Sequence, residues 1–455
     1  MILKNTQYLL AYSLNWFPII MSLNPSHQAW KLAFAQAIEA GDRAAVDKLI
    51  NNHFAKASAS TDTSSEVVLA KSDNEGFAFA FDIDGVLIHN KENVDYATET
   101  IHHLLANSLP FMFLTNSGGG TESKRIDNLN ARFQTTLLRE NQFVQSHTPF
   151  RDLVPEYRDK TILVIGGAGD GARNVALDYG FSSVVTTSDI IAAHPTLWPF
   201  TEQSLAFHKE MARPLPAPIS PSTPSTSLQI SLILVFSSPR DWGIDAQLCL
   251  DLLLSDSGIL GTKSPLNGRA DLANHGYQQQ ENACKIVFSN PDFVWKTDYE
   301  FGNRFGQGAF ITAFEAIFAE ATVGTASLIS EKVGKPCRAS YLYAENVLMR
   351  KRFLERGSEK GFERVYMIGD NPLSDIKGAN EFRSTRGTKW ESILVETGVY
   401  EKGSVPSVKP SVVVGDCFDA VNWALKKEGR QEMVRGIAKF VEKLEGESLG
   451  WEGAT

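Results

Sequence analysis

The chain of 455 residues is short of several things, and each shortage removes a class of protein. No uninterrupted apolar run reaches the ~18 residues that a membrane-spanning helix needs. Cysteine is sparse: Cys249, Cys284, Cys337 and Cys417 lie far apart and form no C-x-x-C pair. Neither a disulfide framework nor a thiolate zinc site is indicated, and the four read as buried thiols of a reducing compartment. Positive charge is outnumbered, with 44 Lys and Arg against 53 Asp and Glu for a net charge of -9. That balance argues against non-specific binding to nucleic acid or to anionic membranes. Residues 1–38 contain no acid and no arginine, only Lys4 and Lys31 as charged groups. Scarcity of acid favours a mitochondrial location, and lack of arginine favours the cytoplasmic alternative.

What remains is ordinary globular material, 43% hydrophobic and 21% charged, long enough for roughly two to three domains. Residues 1–75 are expected to be an N-terminal segment. It comprises a leader before Met21, an amphipathic helix from Trp30 to Phe54 and a Ser/Thr-rich linker over 55–75. From Gly76 onward, apolar runs alternate with helical patterns. Strands are predicted over 77–81, 110–114, 161–165, 183–185, 230–236, 285–288, 365–368 and 392–395. Helices are predicted over 97–106, 202–212, 244–254, 306–321, 342–354 and 417–427. Such alternation implies parallel sheets with helices on both faces. The Pro/Ser-rich stretch 213–227 and a loose Gly/Gln-rich run to about 282 are expected to be loops with no core of their own.

The most informative motif is Asp82-Ile83-Asp84-Gly85, closing the run Phe77-Ala-Phe-Ala-Phe81. On a strand, carboxylates at i and i+2 face the same way, and Gly85 lets the chain turn out of the strand end. Two such charges together are costly unless a cation or a proton offsets them. A calcium loop fits poorly, because its fifth and sixth positions hold Val86 and Leu87 where an oxygen ligand and a glycine are required. Further along stand Thr115-Asn116 before three glycines, Lys335 after Gly334, and Asp370 with Asp375 after another apolar run. Three carboxylates (Asp82, Asp84, Asp370) suit a hard cation such as Mg²⁺, while a hydroxyl, glycine-turn N–H groups and a lysine suit a tetrahedral dianion. Together they describe a phosphoryl-transfer site. A rival motif, Gly167-x-Gly169-x-x-Ala172 with Asp189 downstream, matches a dinucleotide fingerprint, although Asp189 reads better as a helix N-cap. Asn290 and Asp292 read as turn residues where an inserted domain rejoins the core.

The order of these motifs resembles the haloacid dehalogenase superfamily, subclass IIA. It is most similar to the cat eye syndrome critical region protein 5 family of hydrolase-like proteins. The resemblance spans roughly 76–430 and is carried by Phe81-Asp-Ile-Asp-Gly-Val-Leu87, Thr115-Asn116, Ser289-Asn-x-Asp292, Arg304-Phe-Gly-x-Gly308, Gly334-Lys-Pro336, Gly369-Asp-Asn-Pro-x-Ser-Asp375 and Thr397-Gly-Val-Tyr400. It implies a three-layer, doubly wound α/β parallel-sheet core over 76–146 and 287–430, an inserted α/β cap over 147–286 and a tail over 431–455. Thr115 to Lys335 is 220 residues, room for that insertion. The implied activity is Mg²⁺-dependent hydrolysis of a phosphomonoester through an aspartyl phosphate. Its substrate would be a small phosphorylated metabolite or a glycerophospholipid head group. Asp82 would be the nucleophile, and Asp84 the acid and base, its backbone carbonyl also facing Mg²⁺. Thr115, Asn116 and Lys335 would hold phosphoryl oxygens. Asp370 would complete the metal ligands, with Asp375 in support. A homodimer through the cap is also expected, and the alternatives are a scaffold of the same fold or an NAD-binding oxidoreductase.

Overall fold

The structure, a computed structural model, describes residues 76–435 except 90, 91, 168, 296 and 298. The leader, the 30–54 helix, the linker and most of the tail lie outside the described residues. In chain order come β1 (Phe77–Phe81), α1 (Ala97–Ala106), β2 (Phe111–Leu114), α2 (Glu122–Arg132) and β3 (Phe143–Val144). Then follow β4 (Thr161–Ile165), α3 (Gly171–Tyr179), β5 (Ser183–Thr186), α4 (Thr187–Ala193), β6 (Leu232–Val235) and α5 (Trp242–Leu254). After them come β7 (Lys285–Phe288), α6 (Gln307–Ala321), β8 (Glu331–Lys332) and α7 (Arg338–Arg356). The last elements are β9 (Arg364–Gly369), β10 (Lys389–Val395), β11 (Val412–Val414) and α8 (Cys417–Lys427).

Two all-parallel sheets result. The core sheet runs β11-β10-β9-β1-β2-β3. The run Phe-Ala-Phe-Ala-Phe of β1 explains its central place. Phe77, Phe79 and Phe81 share one face with Ile101 and Leu104 of α1 and Val421 of α8. Ala78 and Ala80 point the other way, toward Tyr341, Ala344 and Leu348 of α7. Large residues fill one layer and small ones admit the α7 tyrosine on the other, so both faces are buried as a parallel sheet requires. Each buried phenylalanine contributes roughly 1.5–3 kcal/mol. Strand order reverses between β1 and β9, which makes the C-terminal ends of these two strands the switch point where such sheets bind ligands.

The second sheet runs β8-β7-β6-β4-β5 and forms the core of the cap. Here the structure moves a boundary. The seam expected at 286/287 falls inside β7, which pairs with β6, and α6 and β8 follow on the same sheet. A short apolar strand such as β7 carries no mark of which sheet will take it, so the chain returns to the core only near Gly334.

Other expectations also change. The Pro/Ser-rich loop places Leu215, Ala217 and Ile219 against the apolar cluster of α5 and α6. The Gly/Gln-rich run is tied down: Asn274 donates to the Ser327 carbonyl (2.9 Å) and accepts its N–H (3.0 Å). Gln278 does the same with Ile329, at 2.9 Å both ways. These amides imitate a strand's pairing. Asp189 is the third residue of α4 in a capping box with Thr186, and Arg173 grips both its oxygens at 2.8 and 2.9 Å. Buried and paired, it has no oxygen free for a ribose hydroxyl.

The chain enters the cap through a polar knot. Glu122 of α2 accepts from Thr148 Oγ1 (2.7 Å) and Tyr179 OH (2.6 Å), with Arg151 at 3.2 Å. His147 Nδ1 lies 2.8 Å from Tyr179 OH, and its Nε2 takes the Gly119 N–H at 3.3 Å, so Nδ1 carries the proton. Burial lowers the His147 pKa from 6.5 to about 4. Because the folded value lies below the unfolded one, the stability is complete above pH 6.5 and is lost as pH falls toward 4. A full shift of this size is worth about 3 kcal/mol. Urea unfolding between pH 7 and 4.5 should show this loss, and His147→Gln, which cannot ionise, should flatten it. An unchanged slope in the variant would remove His147 from the account.

Candidate active site

Asp82, Lys335, Asp370 and Asp375 gather at the switch point, with Asp84 at its rim and Thr115-Asn116 following the neighbouring strand. Asp82 leaves β1 with its N–H still bonded to the Ile368 carbonyl (2.9 Å), and Gly85 then turns the chain at φ +85°. Thr115 follows β2 and stays on the sheet through its N–H to Val144 (3.0 Å). Asp370 and Asp375 follow β9. Lys335 arrives three residues after β8, at the return from cap to core.

Asp82, Asp370 and Asp375 are buried, and one carboxylate oxygen from each lies within 4.8 Å of the other two. The Lys335 ammonium sits between two of them, 3.0 Å from Asp82 Oδ1 and 2.6 Å from Asp375 Oδ1. Burial would pull the Lys335 pKa down, but Asp375 and Asp82 hold it above the ordinary lysine value. Burial, then the neighbouring carboxylates, lifts Asp370 well above the usual range. Asp375 is pushed up to about 6, burial again outweighing Lys335. Three acids share one lysine, and the surplus negative charge calls for a proton or a cation. Oxygen donors of this kind fit Mg²⁺.

The converging set among the described residues is thus Asp82, Asp370 and Asp375. The carboxylate expected third, that of Asp84, is exposed at the rim. There the crowding of protein around it, and then the charge of Asp82, raise its pKa. Thr115 Oγ1 accepts the Ser117 N–H (3.0 Å) and keeps its own proton to donate. The Asn116 side chain turns to protein: Oδ1 accepts the Lys335 N–H (2.7 Å), and Nδ2 donates to the Lys335 carbonyl (2.8 Å) and to Asp292 (2.9 Å). With its side chain engaged by protein, Asn116 keeps its backbone N–H for a phosphoryl oxygen.

Sequence reasoning passed over two seats of the site. The Val399 N–H donates to Asp370 Oδ2 (2.7 Å), and Thr397 Oγ1 donates to the Gly85 carbonyl (2.5 Å). A Cβ on Gly398 would run into Asp370, and one on Gly369 into Asp375, so both backbones must be bare there. The run Thr397-Gly-Val-Tyr400 after an apolar strand was the available signal. Asn290 does make the expected turn, taking the Asp292 N–H at 2.8 Å, yet Asp292 also reaches the site through Asn116.

Two family descriptions match the chain: a haloacid dehalogenase-like hydrolase over residues 79–182 and a HAD-hydrolase-like segment over 332–420. The mitochondrial hydrolase of Saccharomyces cerevisiae is 33% identical over 369 residues, covering 77% of this chain and 96% of that protein. A cardiolipin synthase (CMP-forming)/mitochondrial hydrolase fusion protein of Schizosaccharomyces pombe is 37% identical over 356 residues, 77% of this chain. That match takes in 53% of the relative, so the chain spans about half the length of the fusion protein. Among solved structures, NagD of E. coli aligns at 18% identity with a TM-score of 0.43, covering 75% of this chain and 96% of that one. Identity of one third along nearly all of the budding-yeast protein makes the assignment: this chain belongs to the haloacid dehalogenase-like hydrolases.

Proposed function

We propose that the chain is a Mg²⁺-dependent phosphomonoesterase working through an aspartyl phosphate at Asp82. The observation that carries this reading is the convergence of Asp82, Asp370 and Asp375 on Lys335 at the switch point. Asp82 Oδ1 already accepts the Ile83 N–H (2.8 Å) and faces Lys335, which leaves Oδ2 as the oxygen open to phosphorus. Attack by Asp82 forms the Asp82–phosphorus bond and breaks the bond to the leaving oxygen, which takes a proton from Asp84. Its raised pKa suits Asp84 to hold that proton. Water then attacks the phosphoryl group, losing its proton to Asp84, and Asp82 is released. Thr115 Oγ1, the Asn116 N–H and Lys335 hold the phosphoryl oxygens meanwhile. Asp82, Asp370 and Asp375 are the carboxylates to hold Mg²⁺, with the Asp84 carbonyl, and the ion supplies neutralisation of the charge gathered there.

The fission-yeast relative is joined to a cardiolipin synthase. That supports a glycerophospholipid head group over other phosphorylated metabolites. Both yeast relatives are called mitochondrial, which supports a mitochondrial location. The exposed Phe200 and Phe207 keep a homodimer through the cap within the reading.

Turnover of para-nitrophenyl phosphate should require Mg²⁺. Asp82→Asn should abolish it by several orders of magnitude, whereas Asp84→Asn should cost ~10²–10⁴-fold, as loss of an acid–base group does. Full activity in Asp82→Asn would sink the covalent route. Independently of turnover, Mg²⁺ should raise the melting temperature of the wild type. Gly398→Ala, which displaces Asp370, should lose most of that rise. An equal rise in both proteins would take Asp370 out of the metal set.

A further inference from the structure

Asn116 is where three distant parts of the chain meet, and every strong bond of its carboxamide goes to protein. Nδ2 faces two acceptors, the Lys335 carbonyl and Asp292 Oδ2, while Oδ1 faces one donor, the Lys335 N–H. Only one orientation of the amide satisfies all three. Asn116 is itself held from the cap side, since Asn290 Nδ2 donates to its carbonyl at 3.0 Å. Asn290 is fixed in turn by Gln307 Oε1, which accepts its N–H at 2.9 Å. Glycine at 334 lets these strands of chain close up, because a Cβ there would meet the Ser289 carbonyl and lie 3.2 Å from Asn116 Oδ1.

We propose that Asn116 and Asp292 form a clamp that sets the position of Lys335, which makes Asp292, a residue of the cap, a positioning residue for the phosphoryl site. The role in catalysis rests on the phosphatase reading above; the clamp itself does not. Lysine is a flexible side chain, so its ammonium is placed only if its main chain is placed. Asn116 holds both the N–H and the C=O of Lys335. Asp292 takes the second proton of Nδ2. Without that acceptor a buried N–H goes unpaired, and the amide is left with only its two bonds to Lys335 to oppose its turning over. An amide turned over would set Oδ1 against the Lys335 carbonyl and release the main chain. The lysine would then lose its seat between Asp82 and Asp375. Asp292 is bonded to the site through Asn116, and it also lies near enough to Lys335, Asp375 and Asp82 to feel their charges.

The test is pulse labelling of the full chain with an amine-reactive ester, read by mass spectrometry. Lys402, with 78% of its side chain exposed, serves as internal reference and Lys335, at 1%, as reporter. Asp292→Ala should raise the labelling of Lys335 about tenfold relative to Lys402 and lower kcat on para-nitrophenyl phosphate by about ten- to a hundredfold, the cost of a misplaced group. Asp292→Asn keeps an acceptor oxygen and should return both to within about threefold of wild type, the scale of a retained hydrogen bond. A merely structural residue would change the labelling of many lysines together. Unchanged protection of Lys335 in Asp292→Ala, or an Asn variant as loose as the Ala variant, would overturn the clamp. Should Asp292→Ala not fold, Asp292→Glu, which shifts the carboxylate by a methylene, gives the same two readings. A wild type inactive on all phosphates refutes the phosphatase reading alone, since the labelling still decides the clamp.

Discussion

Three buried carboxylates crowded about one ammonium are the constraint around which the molecule is arranged. Like charges a few Å apart repel strongly in a medium of low dielectric, and burial deprives each of hydration. Asp82, Asp370 and Asp375 remain buried together because Lys335 stands between two of them and because backbone N–H groups are aimed at all three, from Ile83, Val399 and Asn371. Burial first, and then the neighbouring carboxylates, keep Asp370 and Asp375 above the usual carboxylate range. Under the proposed function, a hard divalent cation would offset the excess negative charge, and a phosphate dianion would bring the counter-charge to the cation and the lysine. The cluster is thus a site built short of positive charge, which is the physical basis for assigning it to metal-assisted phosphoryl chemistry.

The sheet supplies the place for such a cluster. With β1 and β9 side by side and parallel, their C-terminal ends deliver Asp82 and Asp370 to one point, while β2 delivers Thr115 from the other side. Bare backbone at Gly369 and Gly398 allows the acids to approach the chain more closely than any side chain would permit. The glycine-containing loop after β10 therefore belongs to the site, contributing the Val399 N–H, the Thr397 hydroxyl and empty space.

Cap and core are joined at two crossings, and both are sealed by buried polar networks. At the entry, Glu122, Thr148, Tyr179 and His147 satisfy one another. At the return, Asn116 binds Lys335 and Asp292. Buried polar groups tolerate no slack, since each unpaired member costs its desolvation. The second crossing runs through the lysine of the site itself, so the seating of the cap and the placing of that ammonium are one geometric problem.

Much of this was legible in the amino-acid sequence. The alternation of apolar runs with helical patterns yields β1, α1, β4, β7 and α8 at their observed limits, because burial on two faces and amphipathic spacing are local signals. The acids, the Thr115 hydroxyl and Lys335 also declare themselves, since like charges paired at a strand end are too costly to keep unless a cation or a proton offsets them. What the sequence could not decide was partnership. It does not say which sheet β7 joins, because short parallel strands are alike until they pair. Nor does it say that Asp375 converges with Asp82 and Asp370 while the Asp84 carboxylate stays at the rim; that depends on where the turns after β1 and β9 point. Neither does it say that the Asn116 carboxamide binds Asp292 and Lys335, because those partners lie 176 and 219 residues away, a distance only the folded chain can close.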